Sequence, residues 1–113
     1  MADVAASGGR EPQLRATIDQ PPQPGGAVIV RLAGDLDIAG AGAALAAVDR
    51  ALEVVPNMLT FDLTELRFMD SSGIAVLLAA AGKVPTVNIR NPSAAVLRVL
   101  SLTGLAATFP VAP

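Results

Sequence analysis

The chain has 113 residues, 52% of them apolar and 16% charged, with ten acidic against eight basic side chains and a net charge of -2. That is the size of one domain with a modest core, and the composition is that of a packed globule rather than a disordered chain. Scattered basic residues form no stripe to neutralise a row of phosphates, and the absence of Cys, His, Tyr and Trp removes disulfides, thiol and imidazole chemistry, ordinary zinc sites and aromatic stacking platforms.

Residues 1 to 13, "MADVAASGGREPQ", are small and polar and predict a disordered tail ahead of a domain over 14–113. They contain no apolar stretch of the kind a secretory signal needs, so a cytoplasmic protein is expected. "ATIDQ" begins a first strand, and "PPQPGG" (Pro21 to Gly26) reads as the turn to the next, "AVIVRLAG", whose end Gly34 marks. After "GDLDIAGAG" the stretch "AALAAVDRALEVV" predicts a helix with Asp49, Arg50 and Glu53 on its polar side, closed by Pro56 and Asn57.

"MLTFDL" is apolar enough for a central strand covered on both faces, and "TELRFMD" leads on to a serine turn. From Ser72, "SGIAVLLAAAG" predicts a short buried helix stopped by Gly82. Its apolar run is far below the roughly 20 residues that cross a bilayer, so no membrane span is expected. "TVNIR" is the next strand. "NPSAAVLRVLSLTGL" predicts a helix with a proline near its start, apolar positions at Val96, Val99, Leu100 and Thr103 and Gly104 past its end, and "ATFPVA" a short edge strand. The order β-β-α-β-α-β-α-β defines an α/β domain with a mixed sheet, because the first two strands are joined by a hairpin and the later ones by helical crossovers.

Three stretches carry candidate chemistry. "GAGAAL" (Gly40 to Leu45) opens like a dinucleotide fingerprint, but Leu45 stands where the third glycine belongs and "DLDIA" separates it from the strand, so helix entry is the better reading. A serine hydrolase has no histidine to take the hydroxyl proton, and Lys83 lies about three helical turns from Ser72. The turn "DSSG", Asp70 to Gly73, is the most informative. Its plain reading is a helix cap, in which Asp70 or Ser71 accepts from the first backbone N–H groups. Yet three polar side chains stand between Met69 and Gly73 where a cap needs one, and a helix N-terminus favours a phosphate. The acids of "GDLD", Asp35 and Asp37, follow the second strand; they read as an Asx turn at the helix entry. If that strand lies beside the third, Asp37 comes near Asp70 and the serines.

These residues resemble the STAS domain family, and within it the free-standing anti-sigma factor antagonists, over about residues 14 to 111. "LTELRFMDSSGIAVLL" is similar to the signature around the family's phosphorylated serine, "VIVRLAGDLDIAGA" to its second strand and Gly-Glu-Leu-Asp type turn, and "NPSAAVLRVLSLTGL" to its late helix. The resemblance implies a small mixed sheet with helices packed mainly on one face. It implies Ser72 as phosphate acceptor, with Ser71, Asp70, Gly73, Met69, Asp35 and Asp37 around the phosphosite and at the partner surface. It implies no catalysis, cofactor or metal in the chain. The unphosphorylated form would bind an anti-sigma factor that is also a serine kinase and so free a sigma factor; phosphorylation would end this, and a serine phosphatase would restore it. The chain departs from the family in a segment several residues shorter between Gly73 and "NPSAA", and it stops where many relatives continue into a final helix, which would expose an apolar patch and favour a homodimer. Free-standing STAS domains also resemble accessory subunits of membrane ABC lipid transporters, which gives an alternative function, as does a scaffold that never takes phosphate.

Overall fold

The computed structural model describes residues 13–18 and 25–112. The expected tail and most of the "PPQPGG" turn lie outside the described residues. Five strands, β1 (Leu14–Ile18), β2 (Ala27–Leu36), β3 (Met58–Met69), β4 (Thr86–Arg90) and β5 (Val111–Ala112), form one sheet in sequential order. β1 is antiparallel to β2, and every later pair is parallel. Helices α1 (Ala41–Ala51), α2 (Ser71–Ala81), α3 (Ala94–Leu102) and the short α4 (Leu105–Thr108) fill the crossovers. Right-handed crossovers that step in one direction across a sheet lay their helices on the same face. Accordingly α1 packs on β1, β2 and α2, while α2 and α3 pack on β3.

The core follows from alternation along the strands. Val28, Val30 and Leu32 of β2 and Leu59, Phe61 and Leu63 of β3 point to the helices and are fully buried, against Ala44, Ala47 and Val48 of α1 and Val76, Leu77 and Ala80 of α2. Each large side chain so buried contributes about 1.5–3 kcal/mol before entropy is counted. On the opposite face of β3 stand Thr60 and Asp62, also buried, so the central strand is covered on both sides as its composition implied.

Several boundaries differ from the sequence reading, each for a local reason. Gly34 does not end β2: it sits inside the strand at φ +100, where a Cβ would come 1.9 Å from the Gln13 carbonyl oxygen, and the register with β3 shifts on either side of it. It is a bulge that lets the strand continue to Leu36. β3 likewise runs on through "TELRFM" to Met69, with Leu66 and Met69 buried and Thr64, Glu65, Arg67 and Phe68 turned outward. α1 begins two residues early and ends at Ala51, where Leu52–Val54 tighten into a 3-10 turn. Gly82 caps α2 in a right-handed conformation that any residue adopts, whereas Gly104, after α3, takes the left-handed form at φ +81. Of "ATFPVA", only Val111–Ala112 is strand; Ile89 N–H donates to the Pro110 carbonyl across it.

Val55, exposed and directly before Pro56, closes the 3-10 turn at φ 53 and ψ 63. A β-branched residue in the left-handed region, and ahead of a proline, is strained by about 1–2 kcal/mol. Val55→Gly is therefore expected to stabilise the fold by about 0.5–1 kcal/mol after the flexibility glycine adds to the unfolded chain. A higher urea midpoint, read by circular dichroism, checks it.

A second prediction concerns Asp62. Burial works against its charge, but the Thr64 hydroxyl and backbone N–H both donate to it, and Arg31 and Arg90 lie 3.5 and 3.9 Å away, which together hold its carboxyl below the usual range. Because the folded value is the lower one, the stabilisation is complete above the unfolded pKa of about 3.9 and is lost as pH falls through the folded value. Asp62→Asn should thus lose stability at pH 7, and its deficit against the parent should shrink in denaturation curves taken at progressively lower pH below about 4.

Candidate functional site

The parallel pairing of β2 with β3 ends at Leu36 and Met69, so Asp37 and Asp70 each stand one residue beyond the last rung. The Asp70 N–H donates to the Leu36 carbonyl at 3.3 Å, which ties the two strand ends together. The adjacency expected from the sequence, conditional on these strands being neighbours, is thereby realised. Asp37 is buried at 5% exposure, and its Oδ1 accepts from Gly40 N–H at 3.1 Å, while its carbonyl accepts from Gly40 and Ala41 N–H. It shapes the entry to α1, whose N-cap is Gly40.

Asp70 is the N-cap of α2. Its backbone is extended, and its Oδ1 accepts from Ser72 N–H at 2.8 Å. The Asp70 carbonyl takes Gly73 and Ile74 N–H at 3.0 and 3.2 Å. The cap reading is therefore correct, and Asp70 is the residue that does it. The consequence for a phosphate is direct: the N–H groups of Ser72, Gly73 and Ile74 are already bonded to Asp70, so a phosphate here carries its charge beside a carboxylate rather than into a full set of free helix-start donors.

Helix α2 starts at Ser71, one residue ahead of the sequence expectation. Ser71 is exposed, Ser72 half-buried and Gly73 buried. Gly73 is required by close approach: a Cβ there would lie 2.5 Å from Met69 Cγ and 3.0 Å from Leu36. Met69, at 3% exposure, is thus a floor for the turn rather than a contact for a partner. Asp35 belongs to β2 rather than to the turn after it, and its Oδ1 lies 3.2 Å from Arg67 Nη2, an ion pair across the strand ends.

The residues missed from the sequence are apolar. Ile38 is 83% exposed in the loop after Asp37, Phe68 is half exposed just before the serine turn, and Leu78 is half exposed on α2. Ser71, Ala75 and Leu78 follow helical spacing along one outward stripe, so α2 is buried on one face only, although its sequence is apolar throughout. Ile38 was recoverable in principle as a branched apolar residue in a loop of aspartate and glycine, without a periodic partner. Lys83, the other end of the discarded Ser-Lys pair, is held by Asp49 of α1 at 3.2 Å. Among the described residues no three acidic side chains gather as a metal ion needs, and no helix is long and apolar enough to cross a membrane.

A mixed sheet with an exposed serine on a capped helix, at the paired ends of two parallel strands, defines a small α/β domain that presents a hydroxyl on a surface. The family model described as "Mlab, STAS domain" matches residues 20–111, and the chain belongs to the STAS domain family. Its fold is similar to that of an anti-sigma factor antagonist from Mycobacterium paratuberculosis, with a TM-score of 0.78, 26% identity and coverage of 88% of this chain and 86% of that one. It is also similar to the anti-sigma factor antagonist SpoIIAA in its unphosphorylated form, at a TM-score of 0.74 and 23% identity over 88% and 89% of the two chains. The Bacillus cell fate determinant SpoIIAA in the phosphorylated form aligns at 0.65 and 22% identity, covering 88% and 92%. These last two bear on the fold alone. No curated protein sequence matches the chain significantly.

Proposed function

We propose that this protein is an anti-sigma factor antagonist whose binding is switched off by phosphorylation of the serine pair at the head of α2. The unphosphorylated form binds an anti-sigma factor that is also a serine kinase and so frees a sigma factor; the phosphorylated form lets go, and a serine phosphatase resets it. The observation that carries this reading is the exposed Ser71 directly after the capping Asp70, at strand ends tied by the Asp70 N–H to the Leu36 carbonyl, with exposed apolar side chains on the segments that meet there: Ile38 after β2, Phe68 at the end of β3 and Leu78 on α2. Apolar contacts around a neutral hydroxyl make a surface that a partner can cover, and adding charge at its centre makes that contact unfavourable. The chain supplies no catalysis of its own in this cycle, and transfer from ATP is the work of the partner.

Between the two serines, exposure favours Ser71 over the Ser72 implied by resemblance. A kinase must surround the hydroxyl it phosphorylates, and Ser72 is half-buried with its N–H held by Asp70. Incubation with the cognate kinase and ATP, followed by mass spectrometry, is expected to show one phosphate on the parent chain and on Ser72→Ala, and none on Ser71→Ala. The reverse pattern returns the assignment to Ser72, and phosphate on neither serine ends the switch reading. Recovery from native cells with a membrane ATPase in place of a soluble kinase would favour the transporter alternative. The exposed Leu97 and Leu102 of α3 keep a homodimer within the proposal, which light scattering on the free chain reads.

A further inference from the structure

Arg67 stands four residues before Ser71, its guanidinium 3.2 Å from Asp35 Oδ1 and its side chain 68% exposed. Four residues span at most about 14 Å of extended chain, and the turn at Asp70 shortens that path. Arg31 and Arg90 are engaged by Asp62 and Lys83 by Asp49 at the far end of α2, while Arg15 of β1 lines the same surface cleft as Arg67 but lies on a different strand from the serine turn. A guanidinium offers five donors in a planar fork, and the contact to Asp35 engages one nitrogen. The acids facing this region are Asp35, Asp37, Asp70 and, along β3, Glu65.

The geometry points to Arg67 as the residue that receives the phosphate of Ser71, by exchanging its ion pair with Asp35 for a bidentate one. This rests on the reading that Ser71 is the phosphorylated residue. A phosphoserine near neutral pH carries close to two negative charges on three acceptor oxygens, and an arginine prefers it to a single carboxylate oxygen. Two changes then reach the partner together: a phosphate appears at the centre of the surface, and Asp35 loses this cation at its edge. Arg67 is in this sense a positioning residue, which fixes where the new charge sits.

The test uses the full chain with phosphoserine placed at position 71 during translation, so that no kinase is required. The second pKa of the phosphate, ordinarily near 6, is followed by phosphorus NMR. A solvent-exposed arginine contact lowers it modestly, so Arg67→Gln is expected to raise it by about half a unit over the parent, with Arg67→Lys between them. Arg50→Gln serves as control: it removes an equal charge from the exposed last turn of α1, at the other end of that helix from its entry beside Asp37, and should leave the value unchanged. An unchanged pKa in Arg67→Gln, or an equal rise in Arg50→Gln, overturns the inference. A kinase that never labels the protein would instead defeat the functional reading, and leaves this titration standing as its own result.

Discussion

Phosphoserine at position 71 is expected to weaken binding to the anti-sigma factor at least a hundredfold, with no change in the stability of the free domain. The size follows from the surroundings. The modification adds about 1.5 to 2 negative charges next to Asp70, whose carboxylate is already committed to the Ser72 N–H and so cannot swing away without uncapping α2. A partner carboxylate about 5 Å from one such charge is repelled by about 3 kcal/mol at an interface dielectric near 20, and 1.4 kcal/mol is a factor of ten. Stability is spared because Ser71 is exposed and first in its helix, where an anion is favourable. Calorimetric titration of the two forms checks the affinity, and their thermal midpoints by circular dichroism check the second half. Equal affinities would mean that the serine is not at the interface.

Gly73→Val is expected to cost about 3 kcal/mol or more and to abolish partner binding at temperatures where the parent is still folded. A side chain at residue 73 would enter space held by Met69 and Leu36, the buried last rungs of β3 and β2. Those residues cannot retreat, since both face the core and their strands are tied by the Asp70 N–H to the Leu36 carbonyl. Overpacking of this kind costs about 1–3 kcal/mol in general, and valine adds a penalty in a helix. Gly73→Ala should fall lower, at about 1–2 kcal/mol, because alanine's helix preference offsets part of the clash. Urea denaturation followed by circular dichroism measures both; with no Trp or Tyr in the chain, intrinsic fluorescence does not serve.

The two effects separate what the serine turn does for the fold from what it does for a partner. Asp70 and Gly73 hold α2 against the strand ends; Ser71 and Ile38 face outward from that frame. The frame was legible in the sequence because its cause is local. An aspartate and serines between a strand and an apolar run specify a cap, and alternating strands and helices specify the sheet and its crossovers. "TVNIR" reads as β4 to the residue, and Gly104 follows the end of α3 as its sequence implies.

What escaped the sequence depends on register. The far half of β3 buries Leu63, Leu66 and Met69, three apart, because shifts in its pairing with β2 break the alternation by which a strand is recognised. The same shifts set Arg67 against Asp35, a pairing that no spacing along either segment announces. The exposure of α2 was hidden for a different reason. Its outward residues are Ala75 and Leu78, as apolar as those it buries, so the helix carries no polar face to mark its orientation. An apolar outward face beside a modifiable hydroxyl is what an interaction surface requires, and the pattern that obscured the fold is therefore part of the site.

The central claim is that the unphosphorylated chain competes with a sigma factor for one partner. The most direct measurement adds the purified protein to a preformed complex of the anti-sigma factor and its sigma factor, and resolves the products by size-exclusion chromatography. The account predicts free sigma factor and a new complex with the unphosphorylated chain, and an untouched original complex with the form carrying phosphoserine at position 71. Sigma factor that stays bound in the presence of excess unphosphorylated chain, or that is released equally by both forms, would contradict it.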